Sequence, residues 1–104
     1  MVHEISPITF EDFVRNHRLV AVDFWAQWCG ACRKMSPLID AFAIRYPKVT
    51  FGKMNTDGAE GICQKYSIQG IPTVILFLEG EEYARVVGLN EIKLKELIEM
   101  LSRQ

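Results

Sequence analysis

Two cysteines, Cys29 and Cys32, stand three apart with Gly30 and Ala31 between them. On a helix this spacing puts both sulfurs on one face, close enough to close a small disulfide ring. An apolar run from Leu19 to Ala26 precedes them and reads as a buried strand; a helical pattern follows. Cys29 therefore falls about where a helix begins, and unpaired N–H groups and the positive end of the helix dipole favour a thiolate there. In a chain that alternates strands with helices, this pair points to dithiol–disulfide exchange. Cys29 is the expected attacking thiolate, and Cys32, one turn on and more buried, the residue that resolves the mixed disulfide. A thiol that attacks well near neutral pH needs its thiolate stabilised by roughly 2 kcal/mol. A helix terminus typically gives about 0.3–1 kcal/mol. A hydrogen bond to the Cys29 sulfur, from the Cys32 thiol or a backbone N–H, is the expected source of the remainder.

Asp23 is the one acid inside the apolar run, six residues before Cys29. A buried carboxylate costs several kcal/mol unless it is paired or stays protonated, so its pKa is expected to rise. Such a group can take the proton that Cys32 must lose before it resolves the intermediate, directly or through one water. Lys53, on the strand read from Val49 to Met54, shares parity with Val49 and Phe51 and points to an apolar side of the sheet. Asp23 on a neighbouring strand is its expected partner.

These residues need a scaffold. Val2 to Ser6 reads as a short edge strand. A helix follows, with Thr9 and Asp12 as a capping arrangement and Phe10, Phe13 and Val14 as its apolar face. Leu19 to Ala26 is apolar on both parities, as in a central strand covered on both sides. Met35, Leu38, Ile39, Phe42 and Tyr46 keep helical spacing up to Pro47, with Pro37 inside that helix, where it should kink the axis. Asn55 to Gly58 is a turn, and a short helix runs through Cys63 and Tyr66. Thr73 to Leu78 is a β-branched strand, Glu79-Gly80-Glu81 a hairpin turn, and Tyr83 to Val87 the returning strand before Gly88. Asn90 caps a last helix carrying the stripe Leu94, Leu97, Ile98 and Leu101. The order β-α-β-α-β-α-β-β-α is an α/β pattern, a small mixed sheet with helices on both faces. Pro72 opens a central strand, an unusual place for a residue without an N–H, and such a proline can be cis.

Composition narrows the function classes. At 104 residues the chain, 1–104, reads as a single domain with a real core. A net charge of −1 gives no electrostatic case for nucleic acid or an anionic membrane. No stretch has the length of a membrane span, and the first residues lack the charged and apolar regions of a secretory signal. Three cysteines argue against a structural disulfide framework, so the chain reads as cytoplasmic. Cys63 reads as a free, partly buried thiol. It supplies only one further sulfur, with no second close ligand pair, so no metal site is expected. His3 and His17 read as surface histidines, and Arg33 after Cys32 excludes the C-x-x-C-H haem pattern.

The segment Trp25-Ala26-Gln27-Trp28-Cys29-Gly30-Ala31-Cys32, with Asp23 before it and Pro37 after it, resembles the active-site segment of the thioredoxin family. Lys53, Asp57, the run Tyr66 to Thr73, Gly80 and Gly88 also fall where that family's pattern has them. The likeness covers about Thr9 to Leu101. It implies a thioredoxin fold, a central mixed sheet of four to five strands flanked by four helices. It implies a protein-disulfide reductase acting on client proteins and re-reduced by a thioredoxin reductase-type electron donor. The Cys29–Cys32 disulfide then serves as the redox group without another cofactor. The sequence itself leaves the oligomeric state open, with a monomer as the default expectation. The resemblance further implies a cis Ile71-Pro72 bond facing the cysteines and a pairing of the Trp25 indole with Asp57. It places Trp28, Gly30, Ala31, Gly70, Ile71, Pro72 and Gly88 at the substrate surface, with an extended segment pairing against Ile71. Trp25, Pro37 and Asp57 would support the site. Ala31 departs from the pattern, which has proline there; alanine restores an N–H at the helix start, so the redox poise should differ. Two other readings of the same residues are a disulfide oxidase or isomerase domain and a non-catalytic binding module.

Overall fold

A computed structural model describes residues 1–104 and orders them as β1 (Val2–Glu4), α1 (Phe10–Asn16), β2 (Leu19–Trp25), α2 (Gly30–Arg45), β3 (Thr50–Asn55), α3 (Glu60–Lys65), β4 (Thr73–Leu78), β5 (Glu81–Val87) and α4 (Glu91–Ser102). The strands form one mixed sheet in the order β1-β3-β2-β4-β5. β2 lies at its centre, parallel to β3 and antiparallel to β4. That position explains why Leu19 to Phe24 are apolar on both parities apart from Asp23, since helices cover both faces.

Strand alternation divides the core in two. Leu19 and Ala21 point to the side of α2 and α4 and pack with Met35, Ile39, Phe42, Leu94 and Ile98. Val20, Val22 and Phe24 point to the other side and pack with Phe10 and Val14 of α1. Asp23 has the parity of Leu19 and Ala21, so its carboxyl lies on the α2 side. Lys53 has the parity of Phe51 and shares that side. Leu94, Ile98 and Leu101 on α4 are fully buried, and truncating any one to alanine costs about 2–5 kcal/mol at such positions.

Element ends follow local chemistry. Asn90 caps α4, its Oδ1 accepting from the Lys93 N–H at 3.1 Å. The β4–β5 hairpin turns through Glu79 (φ 53°) and Gly80 (φ 85°), the two-residue geometry whose twist matches the flanking strands. The expected Thr9 cap on α1 does not form. Thr9 Oγ1 instead accepts from the Ser6 N–H at 3.2 Å, closing the turn before the helix. α2 runs from Gly30 to Arg45 with Pro37 exposed inside it. β1 is shorter than expected, because only Val2 to Glu4 pair with β3.

Candidate active site

The sheet order brings four loop segments to one end of the molecule. β2 ends where α2 begins, and Cys29 is the N-cap of α2, with Cys32 inside its first turn. Cys29 and Cys32 are joined in a disulfide, their Cα atoms 5.3 Å apart. The Cys32 N–H donates to Cys29 Sγ at 3.1 Å. This is the backbone donor expected from the sequence, and the helix end adds its dipole along the same direction. Cys29 keeps 7% of its surface exposed and Cys32 3%, so the first cysteine is the slightly more exposed of the two.

The loop before β4 closes the site from the other side. The Ile71-Pro72 bond is cis, and the Ile71 carbonyl oxygen lies 3.7 Å from Cys29 Sγ. The Gly88 N–H donates to the Pro72 carbonyl at 2.7 Å, tying the end of β5 to this loop. Gly88 has φ 87°, a conformation that favours glycine. Ala26, Cys29 and Cys32 form a small buried cluster with Trp25, Ala31 and Ile71 against it. Gly30 is exposed beside them.

Two hollows flank the disulfide. One, about 160 Å³, is lined by Asp23, Trp25, Cys32, Arg33, Ser36 and Lys53 among others. Burial pushes the Asp23 carboxyl up to about 7, partly offset by the Lys53 ammonium. The other is an open groove of about 470 Å³ bordered by Trp28, Cys63, Ile68, Gln69, Gly70 and Ile71. Trp28 is 69% exposed, and Val87, whose side chain neighbours Gly70, is 62% exposed. Both are large apolar side chains left in water beside the disulfide.

Two expected pairings are corrected. Asp57 Oδ1 accepts from the Trp28 indole at 3.4 Å, whereas the Trp25 indole nitrogen is buried without a partner. Trp25 is the last residue of β2 and is held against the sheet, while Trp28 lies in the turn that reaches Asp57 after β3. Lys53 Nζ forms its ion pair with Glu4 at 3.4 Å, and Asp23 Oδ1 has no hydrogen-bond partner. Lys53 is flanked in register by Glu4 on β1 and Asp23 on β2, and the exposed carboxylate takes the contact at less desolvation. Its ammonium also lies 5.7 Å from the Trp25 ring centroid. Pro37 is exposed on α2.

Sequence reasoning passed over Ser36, Gln27 and Val87. Val87 carried a usable signal, since it is an apolar residue directly before Gly88 on the edge strand. Cys63 is the free, partly buried thiol expected, and burial, then Glu60, push it up. It also borders the groove, which its position in the sequence does not foretell. His17 Nδ1–H donates one bond, at 2.9 Å, to the Phe13 carbonyl oxygen.

Comparison with known proteins agrees with this geometry. The family model described as Thioredoxin matches residues 1–102. The chain is 45% identical over 91 residues to a thioredoxin of Chlamydia pneumoniae, covering 88% of each chain. It is 38% identical over 89 residues to thioredoxin-1 of Saccharomyces cerevisiae, covering 86% of each. Among solved structures, Fasciola hepatica thioredoxin superposes with a TM-score of 0.90 at 36% identity, covering 96% of this chain and 99% of that one.

Proposed function

The chain belongs to the thioredoxin family, and from that premise we propose a residue-level cycle for its protein-disulfide reductase activity. It is a thiol–disulfide oxidoreductase. In the reduced protein the Cys29 thiolate attacks one sulfur of a client disulfide. A Cys29–client S–S bond forms, and the other client sulfur leaves as a thiolate. Cys32 then loses its proton and attacks Cys29 Sγ. The Cys29–client bond breaks, the client departs with two electrons gained, and the Cys29–Cys32 ring closes. A thioredoxin reductase-type donor returns those electrons. The cysteine pair is the whole redox group in this cycle.

Asp23 takes the Cys32 proton through the cavity both residues line, and Lys53 tunes that acid. A carboxyl that titrates near pH 7 is half in its basic form at neutral pH, close to the best compromise for a proton acceptor. An extended client segment lies along Trp28, Gly70, Ile71, Pro72 and Gly88, with Gly30 and Ala31 beside the attacked sulfur and its backbone pairing with Ile71. Trp25 and Asp57 shape the walls, Asp57 through Trp28, and Pro37 shapes α2. The protein works as a cytoplasmic monomer. No helix is long and apolar enough to cross a membrane.

The observation that carries this reading is the Cys29–Cys32 disulfide at the mouth of α2, with the Cys32 N–H on Cys29 Sγ. Turnover of insulin disulfides with a reductant tests it. Wild type should turn over and Cys29→Ser should not; equal rates would remove the cysteine pair from the reaction. Ala31 in place of the family's proline favours a second reading, an oxidase or isomerase. A reduction potential near that of protein disulfide isomerases, rather than of reductants, would select it.

A further inference from the structure

The cavity beside the disulfide contains more polar chemistry than the cycle above uses. Asp23 and Trp25 both line it, and Asp23 Oδ1 and the Trp25 indole N–H are each buried without a partner in the protein. Buried polar groups in native proteins are satisfied by protein or by ordered water. About 160 Å³ is room for a few waters at roughly 30 Å³ each. Ser36, half-buried, also lines this cavity, one helical turn beyond Cys32 at i+4 and so on the same face of α2.

A water carrying a proton from Cys32 to Asp23 changes from acceptor to donor as the proton moves, so the side chain that holds it must be able both to accept and to donate. The Trp25 indole, Lys53 and Arg33 only donate, and an ionised carboxylate only accepts. The Ser36 hydroxyl does both. Gln27 could do both, but it is exposed, and Arg33 Nη1 donates to its backbone carbonyl at 2.9 Å. We propose that Ser36 is a positioning residue for the resolving step, its hydroxyl holding the water that carries the Cys32 proton to Asp23. This rests on the reading of Asp23 as the proton acceptor.

The step balances. The Cys32 S–H proton passes to that water as the water gives one to the Asp23 carboxylate. The Cys32 thiolate forms the bond to Cys29 Sγ, and the client sulfur leaves with the electron pair of the broken S–S bond. The charged groups around Asp23 are Lys53 from β3, backed by Glu4 from β1, and Arg33 from α2. β4 places Val74 opposite Asp23 and contributes no charge.

The test is stopped-flow reaction of the reduced protein with an equimolar aromatic disulfide such as 5,5′-dithiobis(2-nitrobenzoate). The first thiolate released reports attack by Cys29, and the second reports resolution by Cys32. In Ser36→Ala the first phase should match wild type. The second should fall roughly three- to tenfold near pH 7, the scale of one hydrogen bond lost from the transition state. The deficit should shrink as rising pH ionises the thiol unaided. Ser36→Thr, which keeps the hydroxyl, should restore the second phase. Asp23→Asn should slow it further. An unchanged second phase in Ser36→Ala, with Asp23→Asn slow, overturns the role of Ser36 and leaves the Asp23 reading intact. An unchanged second phase in Asp23→Asn removes the acceptor and this inference together. A Thr variant as slow as Ala assigns the loss to packing and refutes the relay.

Discussion

Replacing Asp23 with asparagine should stabilise the protein, by an amount that grows with pH. Asp23 is 3% exposed in the middle of the central strand, and its carboxyl titrates at about 7 rather than at its ordinary 3.8. Burial is the dominant cause. Between those two values the folded chain holds a proton that the unfolded chain has released, so stability falls as pH rises through this window. Below pH 4 both states are protonated and nothing is lost; above about 7 the loss is complete and constant. At about 1.4 kcal/mol per pKa unit the full span is roughly 4 kcal/mol, against a total of about 5–15 for a typical domain. Asparagine has no proton to lose, and its amide contributes the same offset at every pH. Urea unfolding of the oxidised wild type and Asp23→Asn, at steps from pH 4 to pH 8, measures the difference. The gap in midpoint should widen by about 1–4 M urea across the series, given slopes of about 1–3 kcal/mol/M. A gap that stays flat between pH 4 and pH 8 would mean that Asp23 is not held protonated by burial, and the proton-acceptor argument would lose its basis.

Two further outcomes follow from the same site. Lys53→Gln removes the one charge that holds the Asp23 carboxyl down, so its titration should move above 7, read from the ¹³C shift of the carboxyl carbon; a fall would contradict the assignment. Ala31→Pro deletes the N–H at the second helical position, where an N-capping atom can also accept. Equilibration with glutathione should then show a more negative reduction potential, by about 20 mV for each kcal/mol of thiolate stabilisation lost. An unchanged or less negative value would exclude Ala31 as a source of that stabilisation.

The parts of the fold that rest on local rules were legible in the chain. Leu19 to Ala26 is apolar on both parities because β2 is covered on both sides, and that alone identifies the central strand. Asp23 was conspicuous for the same reason. Asn90 and the Leu94, Ile98, Leu101 stripe set α4, where the cap geometry and the buried face agree. What failed depended on competition between partners of equal chemical merit. Two tryptophans precede the cysteines, and nothing in their spacing says which indole reaches Asp57. Lys53 has a carboxylate on each neighbouring strand, and the choice of Glu4 turns on exposure, a tertiary property. Thr9 could cap α1 or close the Ser6 turn with the same oxygen. Ser36 gave no signal at all, because a serine one turn after a cysteine is ordinary until a cavity is seen beside both.

The location of the site follows from pairing directions. β2 runs antiparallel to β4, so Phe24 near the end of β2 lies opposite Thr73 at the start of β4. The loop that carries Cys29 and the loop that carries Ile71 and Pro72 must therefore meet. β3 runs parallel to β2, with Trp25 opposite Asn55, which delivers Asp57 to the same edge. β5 returns antiparallel to β4, with Val87 opposite Thr73, and so brings Gly88 there as well. The residues that would attack, position and dock thus come from four separate stretches of sequence, and one sheet order gathers them. Only Asp23 and Lys53 reach the site from within strands rather than from the ends. They can do so because both point to the α2 side, beneath the first turn of the helix that holds the cysteines. A one-residue slip of β2 against its neighbours would turn Asp23 to the α1 side and separate it from Cys32. The acid and the thiol are therefore coupled by register, and the all-apolar flanks of Asp23 that hold the register also hold its proton.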